Sequence, residues 1–231
     1  MLYIVATPIG NLGDMTERAL TLLRSGEIDL LLCEDTRVTK KLMLHYKLHI
    51  PQESFHGHST PAKMKKIGDL LSDGKNIAYV SDAGTPGISD PGYLLVREAI
   101  ERDVEIVPLP GPCAFVTALM ASGLPTHEFR YLGFLPQKKG RETLFAQIVD
   151  SDETIVCYES KHRLIKTLER FGELMPDRYM VVAKELTKMH ERFIRGNVLE
   201  VMNIILGDKK LTNGEFVLLI APRNFAVVKS L

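Results

Sequence analysis

The sequence predicts an α/β protein of two domains, with a mainly parallel sheet in the first and a mixed sheet in the second. Three observations carry that prediction. Short apolar runs alternate with stretches of helical apolar spacing through the first half. Every Gly- or Pro-rich stretch of that half follows one of the apolar runs. Beyond Ser122-Gly123-Leu124-Pro125 the runs remain strand-like, and fewer or shorter helical patterns separate them. The chain has 231 residues and is 45% hydrophobic, enough for one large core or two small ones.

Taken in order, residues 2–6 read as a strand and open the chain without the basic segment of a signal peptide. Helical spacing follows at 16–24, a strand at 29–33, helices at 39–46 and 62–71, and a strand at 77–81. A helix at 93–101, a strand at 104–109 and a helix at 114–120 complete the first domain, expected to span 1–121. The second domain, 122–231, has candidate strands at 129–134, 154–158, 178–183, 191–194 and 215–221. Strands alternating with helices imply parallel pairing with right-handed crossovers, and ligands in such sheets bind at the carboxyl ends of the strands. Met43, Met64 and Met120 fall at helical apolar positions and read as core; Cys33 and Cys157 read as strand packing.

The composition excludes several classes. Basic and acidic residues balance at 29 each, which argues against a surface coated for indiscriminate nucleic-acid binding. Three cysteines without a close pair point to a reducing compartment and no disulfide framework. No apolar run reaches the roughly 20 residues of a membrane span, so a cytoplasmic protein is expected. His56-Gly57-His58 has no nearby third ligand and is a weak metal signal, so no metal is expected.

The loops carry the functional signal. TPIGNLGD follows the first strand, EDTR the second, SDAGTPGISDPG the strand at 77–81, and PLPGP the strand at 104–109. Neither a P-loop nor the dinucleotide fingerprint is present. Glycine allows positive φ and close backbone approach, while proline removes conformations the loop would otherwise sample. The combination forms a rigid wall of amides and carbonyls, suited to an adenosine-like ligand better than to a triphosphate. The alternative is two tight turns and a helix start, with Asp90 as cap and Pro91 at the first helical position.

VATPIGNLGDMT, CEDTRVTKKL, SDAGTPGISDPGYLLVREA, PLPGPCAFVTALMASGLP, YESKHRL and KELTKMHE occur in that order. This set resembles the small-subunit ribosomal RNA (cytidine-2′-O)-methyltransferases of the tetrapyrrole-methylase-like (class III) methyltransferase family, along nearly the whole chain. The resemblance implies a two-domain fold with S-adenosylmethionine in a cleft between the domains, a homodimer, and RNA of the small ribosomal subunit as substrate. It implies cofactor contacts at Pro8, Gly10, Gly84, Thr85, Ile88, Cys113, Ala114, Tyr158 and Leu186, with backbone groups of Gly84, Thr85 and Ile88 facing the ligand. Cys113 replaces the serine of the family's PGPSAA and Lys161 the proline of YESPHR. A side-chain bond at Cys113 would weaken, whereas a backbone contact would survive. Many relatives carry a further C-terminal segment, and any RNA contact made there is not expected in this chain.

Methyl transfer to a ribose hydroxyl needs in-line geometry and either a base or a polarising cation. Asp35 in EDTR, and Lys184 and Glu185 in KELTK, are the candidate catalytic residues, with Asp35 or Glu185 as proton acceptor or orienting carboxylate. A carboxylate beside a basic residue also has the plain reading of an ion pair. Arg37, Lys40 and Lys41 belong to a basic run that extends to Lys66 with Glu53 as its one acid. Arg130, Lys138, Lys139 and Arg141 form a second cluster, its last three joining the candidates, and Arg163 follows the strand at 154–158. These seven are the candidate RNA-phosphate contacts; solvated helix faces are the competing reading. With few aromatics and no tryptophan, base stacking is not advertised. Two alternative functions keep parts of this reading: a tetrapyrrole-precursor C-methyltransferase, and a non-catalytic nucleoside-binding module associated with ribosomes.

Overall fold

The computed structural model describes residues 1–57 and 59–226. His58, half of the weak metal signal, lies outside the described residues, and among those described no cluster could hold a metal ion. No described helix is long and apolar enough to cross a membrane. The chain divides into two units, Met1–Cys113 and a second beginning at Ala114. The division falls ahead of the helix at Ala114–Met120, not after 121, because that helix packs on strands of the second unit.

The first unit is a five-stranded, wholly parallel sheet. Its strands are β1 (Leu2–Val5), β2 (Leu30–Cys33), β3 (Gln52–Ser54), β4 (Ile77–Val80) and β5 (Ile106–Leu109), in the order β3-β2-β4-β1-β5. Side-chain alternation gives it two buried faces. Tyr3, Val5, Leu31, Cys33, Ala78 and Val80 pack beneath α1 (Glu17–Arg24) and α2 (Thr36–Tyr46). Leu2, Leu32, Ile77 and Tyr79 pack beneath α3 (Pro61–Ser72) and α4 (Gly92–Glu101). Each fully buried Leu or Ile contributes about 1.5–3 kcal/mol. The two layers therefore far outweigh any single loop hydrogen bond, and the loops are free to be shaped for a ligand. β1 and β4 are neighbours whose following helices lie on opposite faces, so their carboxyl ends form the switch point of the sheet.

The second unit carries α5 (Ala114–Met120), β6 (Phe129–Phe134), α6 (Arg141–Val149), β7 (Thr154–Ser160), α7 (Leu164–Leu174), β8 (Tyr179–Lys184), β9 (Arg192–Asn197), α8 (Val198–Gly207) and β10 (Glu215–Ile220). Its sheet runs β6-β7-β10-β8-β9, with β6 and β7 parallel and the remaining pairs antiparallel. The mixed sheet is as expected, but its helices are not sparse: α6, α7 and α8 cover one face through Phe145, Leu168, Phe171, Val201 and Ile205.

Three local readings change. Helix α2 begins at Thr36, not 39, because the Asp35 carboxylate caps it by accepting the Arg37 N–H at 2.8 Å. The polar edge strand β3 has no apolar run and was not expected. Met120 is 81% exposed at the end of a short helix whose buried residues are Ala118 and Leu119.

Candidate active site

The loops after β1, β4 and β5 are locked to one another. Thr7 and Gly84 exchange both backbone hydrogen bonds at 2.9 Å. Thr7 Oγ1 donates to the Ser81 carbonyl at 3.1 Å, and Ser81 Oγ to the Gly84 carbonyl at 3.1 Å. Gly84 sits at φ +82°, the left-handed region that side chains rarely adopt, and a Cβ there would lie 3.3 Å from Ile9. Thr85 Oγ1 donates to the Pro112 carbonyl at 3.0 Å, tying the β4 loop to the β5 loop. A Cβ on Gly111 would lie 2.8 Å from the Cβ of Ala6. Of the predicted cofactor residues, Pro8, Gly10, Gly84, Thr85, Ile88 and Cys113 all fall on these loops.

The same edge is strongly acidic. Asp82 accepts the Asp35 N–H at 3.0 Å and donates its own N–H to Glu34 at 3.3 Å. Asp90 Oδ1 accepts the N–H groups of Gly87 and Gly92 at 2.8 and 2.6 Å and the Tyr79 hydroxyl at 3.4 Å. Its other oxygen is buried and has no hydrogen-bond partner among the described residues. Helix α4 begins at Gly92 with Pro91 as its cap, so Asp90, the expected cap, instead shapes the turn one residue before it. Burial raises the pKa of Asp90 against those hydrogen bonds. Burial likewise raises Glu34, and the charges of Asp90 and Asp82 add to the shift. A field of this sign repels a triphosphate and suits a cationic sulfonium. The residues thus fit S-adenosylmethionine: a stiff backbone floor and a negative surround.

Asp35 is held down to about 2, first by its side-chain bonds with Arg37 and then by the Arg37 backbone N–H. The pair is bidentate, with Arg37 Nη2 to Asp35 Oδ2 at 2.6 Å and Nε to Oδ1 at 3.0 Å. A carboxylate so acidic is a poor proton acceptor.

In the second unit the carboxyl ends of β6, β7 and β8 share one sheet edge with the start of β10, since Phe134 pairs with Tyr158, and Phe216 with both Glu159 and Lys184. That edge gathers the predicted residues Tyr158, Lys184, Glu185 and Leu186. Glu185, at φ +52°, accepts the Glu215 N–H at 2.9 Å and the Lys188 ammonium at 3.0 Å. Burial pushes its pKa up, but these bonds and the charges of Lys188 and Lys184 outweigh it, and the net shift is downward. Lys184 is 5% exposed, and among the described residues its side chain forms no hydrogen bond or ion pair. Ala114, the remaining cofactor candidate, opens α5, whose next residue Phe115 stacks on Tyr131 at 4.4 Å.

The basic candidates separate into two kinds. Lys40, Lys41, Lys138 and Lys139 are exposed, and Arg37 is 88% exposed at its side chain. Arg141 and Arg163 instead grip Glu159, whose side chain is fully buried, at 3.7 and 2.7 Å. Thr167 donates to the same carboxylate at 2.7 Å. The two guanidinium groups also donate to the carbonyls of Pro136 and Leu135 at 2.8 and 2.7 Å. They therefore hold the loop that displays Lys138 and Lys139 and do not offer themselves to phosphate. Sequence reasoning assigned no role to Asp82 and only that of a helix cap to Asp90, although both stand in the Gly/Pro string, and it had no signal for Thr167, an ordinary helical position.

A family model described as Tetrapyrrole (Corrin/Porphyrin) Methylases matches residues 1–201. The chain is 42% identical over 234 residues to the Ribosomal RNA small subunit methyltransferase I of Hydrogenobaculum sp., covering 100% of this chain and 99% of that one. It is 45% identical over 221 residues to the protein of the same name from Escherichia coli, covering 95% and 77%. Among solved structures it resembles the methyltransferase CobJ, with a TM-score of 0.68 at 17% identity over 99% of this chain and 96% of that one. It also resembles the uroporphyrin-III C-methyl transferase from Thermus thermophilus complexed with S-adenosyl homocysteine, with a TM-score of 0.59 at 16% identity over 94% and 96%. The structural likenesses establish the fold.

Proposed function

The chain belongs to the tetrapyrrole methylase family, and from that membership we propose that it transfers the methyl group of S-adenosylmethionine to the 2′-oxygen of a cytidine ribose in small-subunit ribosomal RNA. The observation that carries this reading is the similarity, along nearly the whole chain, to proteins named for methylating that RNA. The likeness to tetrapyrrole enzymes is one of fold, and fold does not fix the acceptor.

When bound, S-adenosylmethionine supplies a methyl group on a positively charged sulfur. The chain's part is to hold donor and acceptor in line, an effect worth up to about 7–11 kcal/mol when orientation is ideal. Backbone groups of Gly84, Thr85 and Ile88 would hold the cofactor, on a loop whose turn Asp90 shapes. Asp35 and Glu185 act as orienting carboxylates, since the pKa of each is lowered. Lys184 serves as the cation that polarises the ribose hydroxyl. Lys40, Lys41, Lys138, Lys139 and the exposed edge of Arg37 contact RNA phosphates. The protein works as a homodimer in the cytoplasm, a state that light scattering of the purified chain tests.

The test is methyl transfer from labelled S-adenosylmethionine to assembled small subunits and to naked small-subunit RNA, followed by mapping of the modified position. A 2′-O-methylcytidine is expected. Folded protein that labels neither acceptor, or that labels a tetrapyrrole precursor instead, overturns the reading; tight cofactor binding without any transfer indicates a binding module.

A further inference from the structure

Strand β6 contains a defect with a directional consequence. Tyr131 faces Val156 and Phe134 faces Tyr158, so three steps along β6 match two along β7. Gly133, inside the extra step, lies at φ +63°, as a glycine bulge requires. Strict alternation would send Phe134 to the helix-covered face, where Leu132 packs. The bulge turns Phe134 to the other face, where its ring lies 5.4 Å from that of Tyr158, and Tyr158 lies 5.5 Å from Tyr131. Phe134 is left 58% exposed, while Leu135 beside it is 2% exposed.

A large ring withdrawn from a core and backed by a second ring is a stacking platform. Its surroundings select the ligand. The loop after Phe134 carries exposed Lys138 and Lys139, and its first two carbonyls are fixed by Arg163 and Arg141. A pair of exposed cations on a held loop after an aromatic face matches a nucleotide of single-stranded RNA, whose base stacks while its phosphates meet the lysines. S-adenosylmethionine carries no phosphate and is itself cationic, so the acidic edge of the first unit suits it better.

We propose that Phe134, presented by the Gly133 bulge, stacks on an unpaired base of the RNA substrate while Lys138 and Lys139 bind the adjoining phosphates. This rests on the RNA reading above. The experiment compares Phe134→Ala, Phe134→Leu, Phe134→Trp and the Lys138→Ala/Lys139→Ala pair in the full chain. It measures KM and kcat with small ribosomal subunits, S-adenosylmethionine affinity by calorimetry, and the salt dependence of RNA binding. Phe134→Ala should raise the KM for subunits about tenfold, within the range of base–aromatic stacking. It should leave cofactor affinity and the salt slope unchanged. Phe134→Trp should restore binding and Phe134→Leu should not. The lysine pair should lower the salt slope by about 0.7 per phosphate released. Full rescue by leucine overturns the proposal in favour of plain packing. A loss of cofactor affinity in Phe134→Ala, with KM for subunits unchanged, shows that the ring serves the methyl donor and overturns it too. Wild-type protein that methylates neither subunit nor RNA overturns the functional reading itself, and this inference with it. Active wild type with an unaffected Phe134→Ala overturns this inference alone.

Discussion

The two units stiffen their functional edges by opposite means. In the first, the loops are held through main-chain geometry: the Thr7–Gly84 exchange, hydroxyls on carbonyls, and glycines at places where a Cβ would collide. In the second, a buried carboxylate holds two arginines, and those arginines hold the loop. The contrast follows from what each edge would present under the proposed function. A backbone wall that faces a small ligand must itself be the contact surface, so nothing bulky can support it from the ligand side. A loop that displays lysines to a large partner can be gripped from within. The two devices also fail differently: the first through added atoms, the second through lost charge.

The largest effect is expected from the second device. Glu159→Ala leaves two guanidinium groups, at 15% and 21% side-chain exposure, without their carboxylate. Removing one partner of a buried ionic group costs about 3–5 kcal/mol. Urea unfolding should show that loss; a change under about 1 kcal/mol, the scale of an exposed pair, means the loop is held by other contacts. Next is Gly92→Ala in the first device. The new Cβ would lie 2.6 Å from a ring carbon of Tyr79, which is fully buried, and 2.9 Å from Asp90 Oδ1. Overpacking of this kind costs about 1–3 kcal/mol. It should weaken S-adenosylmethionine binding by displacing Asp90, which calorimetry reads. Gly84→Ala is milder in stability, about 1–2 kcal/mol for a left-handed residue, yet it strikes the Thr7 exchange directly. Undiminished cofactor affinity in both glycine variants removes the first-unit floor from the site.

The same contrast explains what the sequence made legible. Main-chain devices leave a trace in one dimension, because positive φ calls for glycine and a stiff loop calls for proline. TPIGNLGD and SDAGTPGISDPG therefore mark the carboxyl ends of β1 and β4. The parallel first sheet followed from its alternating runs, and only the short polar strand β3 escaped. Charge-based devices leave no such trace. Glu159, Arg163 and Thr167 stand four residues apart but straddle the turn from β7 into α7, and Arg141 joins them only once α6 has packed. Read singly, the arginines looked like phosphate ligands. The Gly133 bulge was hidden for a related reason. A glycine inside an apolar run reads as a weak strand position until the register of the neighbouring strand is known.

The smallest effect tests whether charge matters at a place where the second unit also uses strained backbone. Glu185 combines φ +52° with a carboxylate bonded to the Glu215 N–H and to Lys188. Its pKa in the folded chain lies below its ordinary value of 4.5. A depressed carboxylate stabilises the fold fully above the unfolded pKa, and the contribution is lost as pH falls through the folded one. Glu185→Gln keeps an oxygen for the Glu215 N–H and removes the charge that faces Lys188. The melting temperatures of wild type and variant should therefore differ most near neutral pH. The gap should narrow as pH drops below 4.5 and close in stronger acid, where the wild-type group is itself neutral. It should stay small throughout, because the group is partly open to solvent, which screens it. A gap that is constant with pH would show that the hydrogen bond alone pins this turn, and that the second unit relies on main-chain geometry here as the first unit does.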